Sequence, residues 1–139
     1  MEVSVKYLKG RHFQAEGNAK VVTNIDTSVT NGGTGRGASP MEMILMALAG
    51  CSGMDIVSIL EKMQVNYDRL AIFVQGEQTA DHPRVFTDIE ITYRFWGKSL
   101  LEAKLQRAIS LSMEKYCSVA HMLDKSANLT YHLETNPEN

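Results

Sequence analysis

A run of twelve residues without a charged side chain, from Met43 to Met54, is the feature that most limits how this chain can fold. Apolar residues surround the helix that this run predicts instead of lining one stripe: Met43, Ile44, Leu45, Met46, Ala47, Leu48, Ala49, Cys51 and Met54. A membrane span needs about 20 such residues, so the run is too short to cross a bilayer. The sequence therefore predicts a helix that is buried on all sides.

The start of this helix is marked by Ser39 and Pro40. The Ser39 hydroxyl can accept hydrogen bonds from free N–H groups of the first turn, and proline fits the first helical position. Glu42 follows Ser39 by three residues and completes a capping box. We predict a helix from about Pro40 to Met63.

Alternating apolar residues predict strands on both sides of the helix. The predicted elements are two or three short antiparallel strands in the first thirty residues, strands at Leu70–Val74, Val85–Phe95 and Asn128–Glu134, and a second helical pattern from Lys98 to Leu123. No internal repeat or linker divides the chain, so we expect one domain spanning residues 1–139.

The predicted elements offer little surface with which to bury the first helix. One other long helix and a few short strands are barely enough to cover a helix that is apolar on every side. A second copy of the chain could supply the missing cover. We therefore predict an obligate homodimer with the first helix near the two-fold axis.

Composition excludes several classes of function. Fourteen Lys plus Arg against sixteen Asp plus Glu give a net charge of −2, so no broad positive field favours nucleic acid. The N-terminus lacks a basic segment followed by an apolar stretch, and we expect a cytoplasmic protein without a membrane partner. Two cysteines are too few for a disulfide scaffold.

A glycine-rich segment, from Asn31 to Ala38, precedes the helix and has to be tested as a phosphate-binding loop. It has four glycines in eight residues. A P-loop needs Lys and then Ser or Thr after its last glycine, whereas Gly37 is followed by Ala38 and Ser39. The segment is therefore interpreted as a hinge loop.

Cys51 lies inside the uncharged run and has two interpretations. It can be a buried apolar residue, which is a common role of cysteine. Gly50 and Gly53 weaken that interpretation, because each glycine in a helix interior costs about 1 kcal/mol and suggests close approach by backbone or substrate. Two interpretations of Cys51 therefore remain: a reactive thiol and a buried apolar residue.

Cys117 lies in the second helical pattern, among Lys115, Tyr116 and Ser118. These polar neighbours suit a partly exposed thiol, and long helices would hold both sulfurs at a fixed separation. His121 is four residues later on the same helical face, but one His and one Cys are too few for zinc, which takes three or four ligands. We expect neither a metal nor a cofactor.

The segments around both cysteines strongly resemble the OsmC/Ohr family, which includes osmotically inducible protein C and the organic hydroperoxide resistance proteins. The resembling segments are Ser39–Met43, Ala47–Cys51, Asp55–Lys62 and Ser112–Val119. The likeness extends over nearly the whole chain and is strongest to the YhfA-like branch. A helix-borne cysteine after a Ser-Pro start, with a second cysteine about 66 residues later, is specific to this family.

The resemblance implies a fold and a reaction. The fold is α+β, with two copies intertwined, antiparallel sheets packed around two long central helices, and active sites at the dimer interface. The implied reaction reduces an organic hydroperoxide: Cys51 is peroxidatic, Cys117 is resolving, and a dithiol reductant such as a lipoylated protein restores the pair. The alternative is a non-enzymatic member that binds a hydrophobic small molecule in the dimer-interface pocket.

A thiolate is the attacking species, and a free cysteine with a pKa of about 8.5 is mostly protonated at neutral pH. The resemblance implies a helping arginine from the N-terminal strands, for which Arg11 is the candidate and Arg36 the second choice. In the hydroperoxide-resistance branch a glutamate directly follows the helix-starting proline and holds that arginine. Here Met41 takes that position and Glu42 comes one residue later, about 100° further round the helix.

Overall fold

The computed structural model describes residues 1–138, which fall into two compact units. The first unit is Met1–Ile44, and the second begins at Leu45. Helix α1, Pro40–Lys62, starts in the first unit and continues into the second. Its bounds confirm the predicted helix to within one residue.

The first unit is built on a three-stranded meander. Strands β1 (Ser4–Lys9), β2 (His12–Glu16) and β3 (Val22–Ile25) pair antiparallel in chain order. This confirms the short strands predicted for the first thirty residues. All six residues of β1 are exposed within the single chain.

The glycine-rich loop is fixed to the end of β3 by one carboxylate. Asp26 is only 1% exposed and accepts backbone N–H bonds from Thr27 at 2.8 Å, Thr34 at 3.1 Å and Arg36 at 3.2 Å, together with the Thr34 hydroxyl. The Thr34 hydroxyl, the largest cause, and these N–H groups hold the pKa of Asp26 well below its usual range. The segment is an anchored loop, which its interpretation as a hinge did not anticipate.

Gly33 lies where this loop passes closest to the chain after β3. A Cβ added there would overlap the carbonyl oxygen and carbon of Thr27, which are backbone atoms and cannot rotate away. We expect Gly33→Ala to lower the free energy of unfolding by about 2 kcal/mol or more. Urea unfolding at matched protein concentration measures this. Gly17→Ala is the control because its nearest atom, Val3 Cγ1, is 3.9 Å away, and equal stability of the two variants would contradict the packing.

The second unit contains a three-stranded mixed sheet. Strand β4 (Arg69–Gln78) pairs antiparallel with β5 (Phe86–Trp96), and β5 pairs parallel with β6 (Asn128–Thr135). The strands were predicted, but the expectation of purely antiparallel sheets is wrong for β6. The reason is the long helical connection from β5 to β6, which returns the chain to the same end of the sheet.

That connection is not the single long helix that the pattern predicted. It consists of helix α2 (Glu102–Leu111), a π-helical turn (Ser112–Tyr116) and helix α3 (Ser118–Leu123). At the end of the turn the Cys117 N–H donates to the Ser112 carbonyl oxygen at 2.8 Å, a bond that spans five residues. Of the helices in residues 1–138, α1 alone is long, so two long helices require two chains.

Helix α1 buries one stripe against the second unit. The buried residues Leu48, Ser52, Ile56 and Leu60 recur every fourth position. The other fully buried side chains of the second unit include Ile91, Tyr93, Phe95, Leu105 and Ile109. On the other side, Met46 is 59% and Met54 is 77% exposed. Burial on all sides is therefore wrong for α1 within residues 1–138, where Met46 and Met54 stay exposed.

The length and composition of α1 also meet the requirements of a membrane span. An 18-residue window of the helix has a mean hydropathy of 1.9, and 28% of that window is buried inside the chain. The expectation that the apolar run is too short has to be corrected, because the window extends beyond Met43–Met54. A core helix of a soluble protein passes the same test.

Candidate active site

Helix α1 places Cys51 and Asp55 one helical turn apart. Residues four positions apart on an α-helix share a face, and both of these side chains are half-buried. Between them, Ser52 is fully buried, and its hydroxyl donates to the Ala49 carbonyl oxygen at 3.3 Å. The helix therefore presents a thiol and a carboxylate in the same direction.

The glycines on either side of Cys51 have different surroundings. A Cβ at Gly53 would lie 2.8 Å from Cδ1 of Ile72, so the missing side chain lets β4 pack closely. Gly50 is exposed and has no neighbouring atom within 4 Å of an added Cβ. We predicted that backbone or substrate comes close to both glycines. Of the two, only Gly53 has a close neighbour, and that neighbour is the Ile72 side chain.

Cys117 lies at the break between the π-helical turn and α3. Its backbone is extended (φ −70°, ψ 103°), and its Sγ accepts a hydrogen bond from the Ala120 N–H at 3.4 Å. The side chain is fully buried. The predicted partly exposed thiol on a long helix is therefore wrong, because the wide turn leaves Lys115 and Tyr116 outside and directs Cys117 inward.

The fold brings both sulfurs and the carboxylate together. Cys51 Sγ, Cys117 Sγ and one Asp55 carboxylate oxygen all lie within 4.8 Å of one another. A disulfide forms at about 2 Å between sulfurs, so a small local movement would close it. The arrangement is a dithiol with an acidic side chain beside it.

These three groups are also a set of potential metal ligands. A closed structural zinc site has four protein ligands, and this cluster offers three. One of the Asp55 oxygens, Oδ2, already accepts a hydrogen bond from Ser112. The cluster therefore has too few ligands for a closed structural zinc site, while its two adjacent thiols suit disulfide chemistry.

Polar groups from the second half of the unit support the cluster. Ser112 Oγ lies 3.1 Å from Asp55 Oδ2 and 3.3 Å from the Ser52 carbonyl oxygen, so its single hydrogen is shared between two acceptors. The Tyr93 hydroxyl donates to Met113 Sδ at 3.2 Å, and burial raises the pKa of Tyr93 to about 12. The phenol is therefore neutral at physiological pH.

Burial is the largest influence on the Cys117 thiol and raises its pKa to about 11. The neighbouring Cys51 thiol and the Asp55 carboxylate act in the same direction, whereas the Ala120 N–H lowers the pKa. Without a proton acceptor, Cys117 is a protonated thiol at neutral pH.

The remaining predicted site residues lie in the first unit. The Arg11 Nε–H donates to the Asn31 carbonyl oxygen at 3.0 Å, which holds this side chain along the glycine-rich loop. The Arg36 N–H belongs to the Asp26 anchor. The Ser39 N–H donates to Glu42 Oε2 at 2.7 Å, and the Glu42 N–H donates to Ser39 Oγ at 3.3 Å. The capping box is thereby confirmed, and its hydrogen bonds lower the pKa of Glu42.

Comparison with known proteins assigns the chain to a family. The sequence model described as OsmC-like protein matches residues 33–132. Protein YhfA of Escherichia coli strain K12 is 38% identical over 135 residues, which cover 96% of this chain and 97% of that protein. The chain belongs to the OsmC-like family.

Solved structures of other proteins share its fold. A hypothetical protein from Aquifex aeolicus VF5 is 32% identical with a TM-score of 0.85, covering 99% of this chain and 97% of that chain. An organic hydroperoxide resistance protein from Elizabethkingia anophelis has a TM-score of 0.69 over 98% and 97% of the two chains. At 12% identity, the second likeness shows the fold alone. The α+β OsmC-like fold implied by the sequence resemblance is confirmed.

An apolar groove lies along α1 and β4 in the second unit of this OsmC-like chain. Its volume is about 810 Å³. The lining residues are Ala49, Gly50, Gly53, Met54, Val57, Ser58, Glu61, Leu70 and Ile72. The groove is therefore mostly apolar, with one acidic residue at its end.

The sequence analysis predicted no role in this OsmC-like site for three of its residues: Asp55, Ser112 and Tyr93. Asp55 could have been found, because it follows Cys51 by four residues on a predicted helix and is the first acidic residue after a charge-free run. Ser112 and Tyr93 reach the site only through tertiary packing, and nothing in their local sequence indicates it.

Proposed function

We propose that this protein is a thiol-dependent peroxidase that reduces organic hydroperoxides with Cys51 and Cys117. The observation that carries the proposal is the distance of at most 4.8 Å between a half-buried and a fully buried thiol. Membership of the OsmC-like family supports it. Within the proposal the whole chain acts as one domain, and the cytoplasm keeps its thiols reduced.

The proposed reaction begins at Cys51, the more accessible sulfur. Its thiolate attacks the distal peroxide oxygen, the O–O bond breaks, and Cys51 becomes a sulfenic acid while an alkoxide leaves and takes up a proton from water to give the alcohol. The Cys117 sulfur then attacks Cys51 Sγ, which forms the disulfide and releases water. A dithiol, for which a lipoylated protein is our candidate, reduces the disulfide. We assign the cation that favours the thiolate to Arg11, with Arg36 as second choice. Glu42 is the candidate carboxylate of the site.

A homodimer is part of the same proposal. Members of the family are typically dimeric, and the exposed methionines of α1 leave an apolar face that a second copy would cover. The groove beside that face would then become an enclosed pocket. Its methionine is suited to contact the alkyl part of a hydroperoxide.

Met54 provides a test of the dimer. The side chain is 77% exposed in the single chain, so a lysine there is harmless to a monomer but buries an unpaired charge in the proposed interface. We expect Met54→Lys to weaken dimerisation by at least about 100-fold. Light scattering across a dilution series measures this. Met122→Lys is the matched control, because Met122 is 64% exposed on α3, and a stable Met54→Lys dimer would exclude this face.

The apolar groove also supports a second candidate function, the binding of a hydrophobic small molecule without chemistry. A volume of about 810 Å³ is within the range of ligand pockets. In that case the thiols would be structural or would act as a sensor. A ligand that co-purifies with the protein, together with thiols that do not react with hydroperoxide, would favour binding over catalysis.

Intact mass spectrometry decides between the two functions. Reduced protein is treated with one equivalent of cumene hydroperoxide, and a peroxidase loses about 2 Da per chain as the disulfide forms. The same protein consumes tert-butyl hydroperoxide continuously when a dithiol is supplied. Unchanged mass and no consumption above the protein-free rate would reject the peroxidase.

A further inference from the structure

Asp55 is an acidic side chain that the proposed reaction does not yet use. It lies on an apolar helix, half-buried, with a carboxylate oxygen within 4.8 Å of both sulfurs. Neither of the ion pairs found in residues 1–138 includes it. A carboxylate in such a place pays a desolvation penalty, so its position calls for a chemical explanation.

The resolving step contains a proton transfer that needs an acceptor. Only the thiolate of Cys117 is nucleophilic enough to attack an oxidised sulfur, yet this thiol is fully buried. Burial raises its pKa to about 11, so the thiolate is scarce at neutral pH. Bulk water cannot reach the sulfur to take the proton.

We infer that Asp55 accepts the proton of the Cys117 thiol when Cys117 attacks the oxidised sulfur of Cys51. This inference rests on the proposed disulfide chemistry. The Cys117 S–H bond breaks, its electron pair forms the S–S bond, and the S–O bond of the sulfenic acid breaks. The oxygen takes the proton from Asp55 and leaves as water. The Cys51 sulfur is reduced, the Cys117 sulfur is oxidised, and the carboxylate is restored.

Other titratable groups near the cluster are poorer acceptors. Tyr93 on β5 interacts electrostatically with Cys117 and Asp55, and Tyr131 on β6 interacts with Tyr93. Burial raises the pKa of both phenols, so they hold their protons at neutral pH. Glu114 accepts a hydrogen bond from the Tyr131 hydroxyl at 2.9 Å and is exposed. Cys51 is itself the oxidised partner. Asp55 is left as the acceptor beside both sulfurs.

Ser112 is a positioning residue for this carboxylate. Its hydroxyl donates to Oδ2 at 3.1 Å, and this bond holds the carboxylate beside the sulfurs. Because Ser112 opens the same π-helical turn that ends at Cys117, one local structure sets the positions of both the proton donor and the proton acceptor.

Asp55→Asn tests the inference because it keeps the shape and the Ser112 hydrogen bond but removes the base. Cys51 is oxidised with cumene hydroperoxide, and timed samples are quenched with dimedone, which labels sulfenic acid. Intact mass spectrometry of these samples then distinguishes the labelled sulfenic acid from the disulfide. We expect Cys51 oxidation to stay within about threefold of wild type, while disulfide formation slows by about 100-fold. Asp68→Asn, an exposed carboxylate beyond α1, is the control and should behave as wild type.

The pH profile separates proton transfer from a merely structural role. In wild type we expect disulfide formation to vary little between about pH 6 and 8, whereas in Asp55→Asn it rises about tenfold per pH unit with the thiolate fraction. Asp55→Glu should recover part of the rate and the flat profile. Ser112→Ala keeps the carboxylate but loses its hydrogen bond, and its rate of disulfide formation should lie between those of wild type and Asp55→Asn. This variant still tests the role of Asp55 if Asp55→Asn fails to fold.

A second assay needs no peroxide. Methyl methanethiolsulfonate converts Cys51 to a methyl disulfide, and attack by Cys117 then releases methanethiol, which mass spectrometry follows. The inference is supported if wild type releases methanethiol about 100-fold faster than Asp55→Asn. This holds even if hydroperoxides do not oxidise Cys51, because that second result would reject only the peroxidase function. Equal rates and equal pH slopes in the two proteins would overturn the role of Asp55.

Discussion

Cys51→Ser is expected to lower dithiol-dependent consumption of cumene hydroperoxide by at least about 1000-fold, to the rate without protein. A serine hydroxyl is not ionised at neutral pH and cannot replace a thiolate as nucleophile. Peroxide remaining in timed samples measures the effect. Full activity in this variant would place the reaction at another group.

Cys117→Ser is the matched variant, because it removes the second thiol and leaves the first. We expect it to consume one equivalent of hydroperoxide as fast as wild type and to stop at the sulfenic acid. Excess peroxide then carries Cys51 on to the sulfinic acid. If Cys117→Ser lost the first turnover as completely as Cys51→Ser, the assignment of peroxidatic and resolving roles would be wrong.

Arg11→Ala is expected to slow oxidation of Cys51 by about 100-fold. A guanidinium favours the thiolate and the negative charge that develops on the leaving oxygen, and removal of one such group typically costs this much in rate. Single-turnover oxidation at several peroxide concentrations measures it. The sequence resemblance, not the geometry, selects Arg11 here.

Arg36→Ala is the comparison, and we expect an effect below about threefold. Arg36 contributes its backbone N–H to the Asp26 anchor, which an alanine retains. Reversed effects would transfer the role to Arg36. Wild-type rates in both variants would show that neither arginine acts on the thiolate.

Local sequence predicted the elements whose signals are local. The capping box at Ser39 and Glu42 and the apolar run after it were sufficient for α1, and alternation was sufficient for β5. The second helix was predicted too long because its break at Ser112–Tyr116 is a π-helical turn with no marker such as proline or glycine. The parallel pairing of β6 depends on that connection and was missed with it.

The candidate site was likewise predictable only where its signals are local. Both cysteines were candidates from their local sequence, their roles came from the resemblance, and the helical spacing of Asp55 was available in the sequence. The burial of Cys117 could not be predicted, because the polar residues before it indicate solvent and only the wide turn directs it inward. Ser112 contacts Asp55 from 57 residues away, which no local pattern encodes.

The π-helical turn before Cys117 has a mechanical consequence for the proposed disulfide. Helix α1 is held in place by its buried stripe, so Cys51 Sγ has a fixed position. Cys117 Sγ has to move, and it directly follows the π-helical turn, where the regular α-helical hydrogen bonds are already interrupted. In the proposed reaction, a shift of the few residues around Cys117 would therefore be enough to form the disulfide, without bending a regular α-helix.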